Sequence, residues 1–290
     1  MLYLLKMNKI KDLYKFLSKK YQTLHNEYRV DMKPRYGHGN PPHKLLNEII
    51  ESQNSNYQKL LDSFKPYFKE VQSFDYNKKN DQDPFFNNGF LPGLDILTLY
   101  SLIASVQPEK YIEIGSGNST KVVCKAIINE GLSTKIYSID PYPRAEIDQL
   151  ADYIERKPLE ALEDFNFIIN ELNENDILFI DNSHRSFPNS DVTVCFLEIL
   201  PYLKKGVIIH IHDVYLPYDY PQFMCDRFYN EQYLLASFIL ANPKKYQPLF
   251  PAYYISENKN LSSLIDDFWL PINMADVERH GGSFWIQIME

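Results

Sequence analysis

Two acidic residues flank a glycine turn in this chain. Glu113 stands two residues before Gly115 in YIEIGSGNST, Tyr111 to Thr120, and Asp140 closes the next apolar run, KIYSIDPYP, which ends at Pro143. A strand that breaks into Gly115, Ser116 and Gly117 and then opens a helix lets backbone approach a ligand closely. A following strand that ends in an acid presents a carboxylate where a ribose would lie. The arrangement suits an adenosine-containing cofactor. A dinucleotide fingerprint wants a third glycine or an alanine where this chain has Thr120, and no GKS or GKT phosphate cradle occurs. Glu113 also argues against pyrophosphate, because a carboxylate at the strand end repels phosphate and can hold an ammonium group instead.

A second constellation lies downstream. ILFIDNSH, Ile177 to His184, and IIHIHDVYLPYDYP, Ile208 to Pro221, each end an apolar run in ionisable residues: Asp181 and His184 in one, His212 and Asp213 in the other. A histidine titrating near neutral pH can act as general base, with Asp181 as its orienter or as a metal ligand. His210 and His212 are two residues apart and share a strand face. His210, inside the run, reads as hydrogen-bonded packing, and His212, beside Asp213 at the run's end, reads as functional. A rival reading is a metal-dependent oxygenase or hydrolase built on His210, His212 and Asp213, with the glycine turn purely structural. Another is a non-catalytic cofactor-binding protein.

Positioning these groups takes an alternating α/β unit. The periodicity predicts an apolar helix over 95–104, strands over 110–114 and 135–139, and helices over 119–130 and 145–151. A weak strand over 153–156, a helix near 160–171, a buried strand at 177–181, a helix over 191–203 and a buried strand within 206–213 follow. A helix over 230–241 and strands at 246–249 and 282–288 complete the series. Strand after helix after strand implies a doubly wound, mostly parallel sheet with ligands at the carboxyl ends of its strands. Glu113, Asp140, Asp181, His184, His212 and Asp213 all fall there, and so many polar groups at one edge are costly to bury without a ligand. Residues 1–92 read as a helical extension or cap, with a helical stretch from Leu45 to Phe64 and a loop, DPFFNNGFLPG, from Asp83 to Gly93; residues 93–290 read as the catalytic domain.

The ExGxG turn followed by an acidic strand end resembles the class I S-adenosylmethionine-dependent methyltransferases. The resemblance implies a Rossmann-like fold of seven strands, the last antiparallel and supplied by SFWIQI. It also implies a glycine turn lying against the methionine part of the cofactor and Asp140 on the ribose hydroxyls. Glu113, Gly115, Ser116, Gly117, Asp140 and Asp181 would then hold S-adenosylmethionine, and His184, His212 and Asp213 would handle the acceptor. The second constellation is similar to that of metal-dependent O-methyltransferases, which implies a divalent ion on Asp181, His212 and Asp213 with His184 as base. His212 stands where that family has aspartate, Asp213 where it has asparagine, and His184 where it usually has lysine. A histidine among the ligands favours manganese, iron or zinc over magnesium. The whole segment resembles a general methyltransferase domain family, some members of which are encoded among polysaccharide or secondary-metabolite genes.

Composition bounds the partners. With 290 residues, 44% of them hydrophobic, the chain can bury a substantial core, and its net charge of −8 argues against a nucleic-acid partner. Cys124, Cys195 and Cys225 lack any CxxC spacing and read as reduced thiols in a cytoplasmic protein. Met1 to Lys20 is a basic amphipathic stretch whose longest apolar run is too short for a signal peptide or a membrane span. The loop Val214 to Leu235, rich in aromatics and prolines, suits a small-molecule or saccharide acceptor. The acceptor, the metal and the oligomeric state stay open, a homo-oligomer among the alternatives.

Overall fold

The computed structural model describes residues 13–18, 22–25, 27–143 and 146–290. It divides into two units, Met1–Lys33 and Pro34–Glu290. In the first, residues 13–17 are helical, and most of the basic amphipathic stretch lies outside the described residues. The second unit holds everything that follows.

A seven-stranded sheet organises this unit. Its strands are β1 (Lys110–Ile114), β2 (Lys135–Ile139), β3 (Tyr153–Glu155), β4 (Ile177–Ile180), β5 (Ile208–Ile211), β6 (Tyr246–Pro251) and β7 (Phe284–Ile288), in the order β3-β2-β1-β4-β5-β7-β6. The first five pair parallel, and β7 runs antiparallel to both β5 and β6. This is the Rossmann-like α/β fold that the alternating pattern predicts. Strands β4 and β5 are buried at every position, which is why ILFI and IIHI read as continuous apolar runs. Two prolines stand in β6, where an edge position leaves their missing N–H groups without cost, and the register shifts between Pro248 and Phe250.

The helices used below are α1 (Lys44–Glu51), α2 (Asn54–Phe64), α3 (Phe68–Gln72), α4 (Gly93–Val106), α5 (Asn118–Glu130), α6 (Asn166–Glu171) and α7 (Glu231–Ala241). Helix α4 is buried from Gly93 through Ala104, as a helix apolar on all sides must be. Helices α1 to α3 share its core: Leu46, Ile50, Leu61 and Phe64 are buried, Phe64 packs on Phe250 at 5.5 Å and Phe68 on Phe268 at 5.1 Å. Three predicted helices differ in the structure. Residues 148–150 form a turn and no helix, because Asp148 leaves the segment to bind Arg156 and Asp152 to bind the Ile136 N–H. The 160–171 helix splits into a 3-10 turn, Leu159–Ala161, and α6, which restarts where Asp164 accepts from the Asn166 N–H. The 191–203 helix widens into a π turn at Cys195–Ile199 and tightens at Leu200–Tyr202, since Pro201 has no N–H to donate and crowds the carbonyl one turn back.

The loop before α4 is tied by one side chain. Buried Asn88 accepts from the N–H groups of Phe90 and Leu91 at 2.9 and 2.7 Å and donates to the carbonyls of Phe85 and Leu91 at 3.0 Å each. Asp95, buried in the first turn of α4, accepts from Gly282 N–H at 2.6 Å and from Ser283, joining the helix to the start of β7. The Asp95 contact brings distant segments together beside the carboxyl end of β5, where Ile211 pairs with Phe284. Asn88→Ala strands several of these backbone groups and is expected to destabilise the chain by about 1–3 kcal/mol, read from urea unfolding.

Candidate functional site

The glycine turn is built by close contact between β1 and β4. Gly115 has φ +85°, and a Cβ there would stand 1.8 Å from the carbonyl oxygen of Asp181. No side chain fits, so the backbone after β1 lies directly against the backbone after β4. One residue on, the Ser116 N–H donates to Oδ2 of Asp140 at 2.8 Å, and the Tyr142 N–H donates to Oδ1 at 2.7 Å. Each oxygen keeps a free lone pair, so the carboxylate is oriented and still able to accept. Arg156 supports it from behind, donating to Ser138 Oγ at 3.1 Å and to the Asp140 carbonyl at 3.2 Å.

Glu113 sits elsewhere than a direct grip on a ligand would require. It is fully buried beneath the turn, accepting from Thr120 Oγ1 at 2.6 Å and more loosely from Ser119 and Tyr111. Burial pushes its pKa up to about 7 against those hydroxyl bonds. Its role is to hold the start of α5 against the end of β1. Gly115, Ser116, Gly117, Asp140 and Asp181 line a cleft of about 320 Å³ that Pro158 and Leu159 also border. A Cβ on Gly117 would meet nothing within 4 Å, so a side chain there would enter the cleft.

A second cavity, of about 420 Å³, adjoins the first and shares Phe90, Asp181 and His212 with it. Tyr215, Phe223 and Tyr229 form its aromatic walls, and Asp213 and His184 border it. His184 and Asp213 both adopt left-handed backbone, φ +61° and +54°, just past β4 and β5. Such conformations are uncommon outside glycine and gather at functional sites. Three bonds pin the first: its N–H donates to Asn182 Oδ1 at 3.0 Å, its carbonyl accepts from Asn230 N–H at 3.0 Å, and Asn230 Oδ1 accepts from Ser186 N–H at 2.6 Å.

Three carboxylates surround the His184 ring. Nε2 lies 3.4 Å from Asp181 and 3.5 Å from Asp213, and Nδ1 lies 3.3 Å from Glu231, with Tyr229 stacked on the ring at 4.6 Å. Burial disfavours the charged ring, but Asp181 and Glu231 outweigh it and raise the His184 pKa well above its ordinary value. Glu231 is itself wholly buried at the start of α7, its pKa raised by desolvation and restrained by His184. The pair keeps its proton near neutral pH, which recasts the predicted base as an imidazolium cation.

The remaining histidines divide as their positions require. His212 Nε2 lies 2.9 Å from the Phe90 carbonyl, which can only accept, so that nitrogen carries the proton and ties the loop over the site. Burial opposes charge on His212, yet Asp181, Asp213 and Asp95 together push its pKa up. His210 stacks on Phe179 at 3.8 Å and against Trp285, borders neither cavity, and is held neutral by burial and by His212. The oxygenase reading loses its His210 ligand here. The predicted metal triad does not fit either: His212 commits Nε2 to Phe90, and the His184 ring fills the gap between Asp181 and Asp213. Among the described residues no group of three His, Cys, Asp or Glu side chains is arranged to hold a metal ion.

The structure thus joins Asp181, His184, His212 and Asp213 at one place, next to a cleft containing Gly115, Ser116, Gly117 and Asp140, with Glu113 behind the turn. Sequence reasoning missed Glu231 and Arg227. An acid opening an apolar helix reads as an ordinary helix-start residue, and a lone arginine in an aromatic loop reads as solvated surface. The aromatic density of Val214 to Leu235 was the available signal for both.

An open α/β sheet with a glycine turn and an acid at consecutive strand ends is an architecture suited to a nucleoside ligand at its carboxyl edge. Residues 112–214 match the sequence profile of a family described as "Methyltransferase domain". The chain carries a class I S-adenosylmethionine-dependent methyltransferase domain and is an enzyme of that type. No curated protein matches the chain closely enough to serve as a relative. No helix among the described residues is long and apolar enough to cross a membrane.

Two outcomes follow from the buried charges. Glu113 titrates at about 7 in the fold against 4.5 ordinarily, so its contribution to stability is full below pH 4.5 and is lost as pH rises through about 7. The melting temperature of the wild type should therefore fall more between pH 4.5 and 7.5 than that of Glu113→Gln, measured by differential scanning fluorimetry. Glu231→Gln removes one of the charges that keep the imidazolium protonated. The His184 ring, assigned in NMR titrations by comparison with His184→Gln, should titrate at lower pH in that variant.

Proposed function

We propose that this enzyme methylates a hydroxyl oxygen of a small molecule or saccharide seated in the aromatic cavity, with Asp213 receiving the proton. S-adenosylmethionine supplies a methyl group already activated by its sulfonium. The protein has to supply a seat, an acceptor position and a proton sink. Asp140, fixed by two backbone N–H groups, serves the ribose hydroxyls, and Gly115, Ser116 and Gly117 give backbone access to the rest of the cofactor.

The observation that carries this reading is that Asp181 borders both cavities while His184 touches Asp181 and Asp213 together. One imidazolium against three carboxylates leaves the junction negative, which favours a cationic cofactor and gives the hydroxyl proton a carboxylate to reach. His184, already protonated, balances and orients the two aspartates. His212 holds Phe90 over the boundary between the cavities. Residues 34–92 act as a cap through the segment from Gly89 to Pro92, which borders the second cavity. No step is assigned to a metal ion.

Calorimetry with S-adenosylmethionine, followed by mass spectrometry of products from a panel of sugars and phenols, tests the reading. Asp140→Ala should weaken cofactor binding roughly 10- to 100-fold, as expected for hydrogen bonds to a charged group. Asp213→Asn should lower kcat by about 10²- to 10⁴-fold with cofactor affinity unchanged. A chelator should leave turnover unchanged, and activity abolished by chelation and restored by one divalent ion would return the metal reading.

A further inference from the structure

The second cavity is bordered by both acidic and cationic groups. Asp181, which also lines the first cleft, and Asp213 border it, and Arg227 borders it from an exposed turn. The turn is held tightly. The Arg227 N–H donates to the Met224 carbonyl at 3.0 Å, and its own carbonyl accepts from Arg185 Nε at 2.9 Å. Arg185 is anchored in turn to the Ser183 carbonyl at 2.7 Å, on the same loop as His184.

The Arg227 guanidinium lies over the buried Tyr229 ring, 4.6 Å from its centroid, and Arg185 lies 5.0 Å from the same ring. A cation–π contact holds a guanidinium without using its N–H groups, which stay available to a ligand. Among the described residues, Arg227 has no carboxylate within ion-pair distance. The other exposed ionisable side chains on this cavity, Glu278 and His280, lie 3.9 Å from each other. In a chain of net charge −8, an arginine left without an acid beside an aromatic cavity is a poor choice for solubility alone.

We infer that the acceptor is an anionic hydroxy compound: its hydroxyl reaches Asp213, its ring or chain packs on Tyr215 and Phe223, and its carboxylate or phosphate group is received by Arg227. The inference rests on the acceptor-cavity reading above and adds the chemical class of what enters. Arginine suits either anion, because its planar fork matches two oxygens at once. A neutral sugar or phenol would leave that fork without a partner. A cationic acceptor would be repelled by it.

Matched pairs supply the test: glucuronate against glucose, 3,4-dihydroxybenzoate against 3,4-dihydroxybenzyl alcohol, and glucose 6-phosphate against glucose. Each is presented to the full chain with S-adenosylhomocysteine for binding and with S-adenosylmethionine for turnover. The expected result is that at least one anionic member binds about tenfold more tightly than its neutral counterpart. Arg227→Gln should abolish most of that preference, Arg227→Lys should retain part of it, and S-adenosylhomocysteine affinity should not change in either. Which pair responds separates carboxylate from phosphate. Neutral members bound equally well, no anionic member bound at millimolar concentration, or a preference that survives in Arg227→Gln would overturn the inference. Failure of S-adenosylhomocysteine itself to bind would count instead against the cofactor assignment.

Discussion

The site depends on a buried imidazolium held among three carboxylates. Glu231 has no exposure to solvent, and no hydrogen-bond donor other than the His184 ring comes near its oxygens among the described residues. Left alone, such a carboxylate would be costly enough to bury that it would take up a proton instead. His184 offsets part of that cost, and Asp181 on its far side helps to keep the ring charged. The left-handed backbone at residues 184 and 213 is the conformational expense of bringing these groups together. The first turn of α7 carries much of the support, since Asn230 holds His184 and Gln232 accepts from the Tyr215 N–H at 3.0 Å.

A second contact couples this charge cluster to the cleft lined by Asp140. Gly115 lies so close to the Asp181 carbonyl that the two turns cannot move independently. The same turn passes a hydrogen bond from Ser116 to Asp140. A rigid line of backbone therefore runs from Asp140 through the glycine turn to Asp181 and so to His184. Preorganisation of this kind lets a site hold two reactants in register without spending binding energy on ordering its own groups.

Much of this was legible from residue order alone. Strands β1 and β2 fall on the predicted residues because each is a short, largely buried run and a glycine or an acid marks where it stops. Asp181 and Asp213 were found by the same rule. The segment after Pro143 was not legible: Ile147 and Leu150 have helical spacing, but Asp148 and Asp152 gain more by bonding outside it. Glu231 was out of reach for a different reason. Its meaning comes from a partner 47 residues earlier in the chain, and only the fold brings them within 3.3 Å. The charge on His184 is set by neighbours that no local pattern records.

The departures from the metal-dependent pattern share one physical cause. Where that pattern places an anionic ligand, His212 offers a ring whose proton is spent on the Phe90 carbonyl, so the position secures the loop above the site. Where it places a long lysine, His184 is short enough to lie between Asp181 and Asp213, and a ring cation at 3.4 and 3.5 Å occupies the space that an ion would need. Each change alone would leave the carboxylates unbalanced, by removing a ligand in one case or by moving a positive group in the other. Together they set a ring cation, backed by Glu231, where the metal-dependent pattern would set an ion.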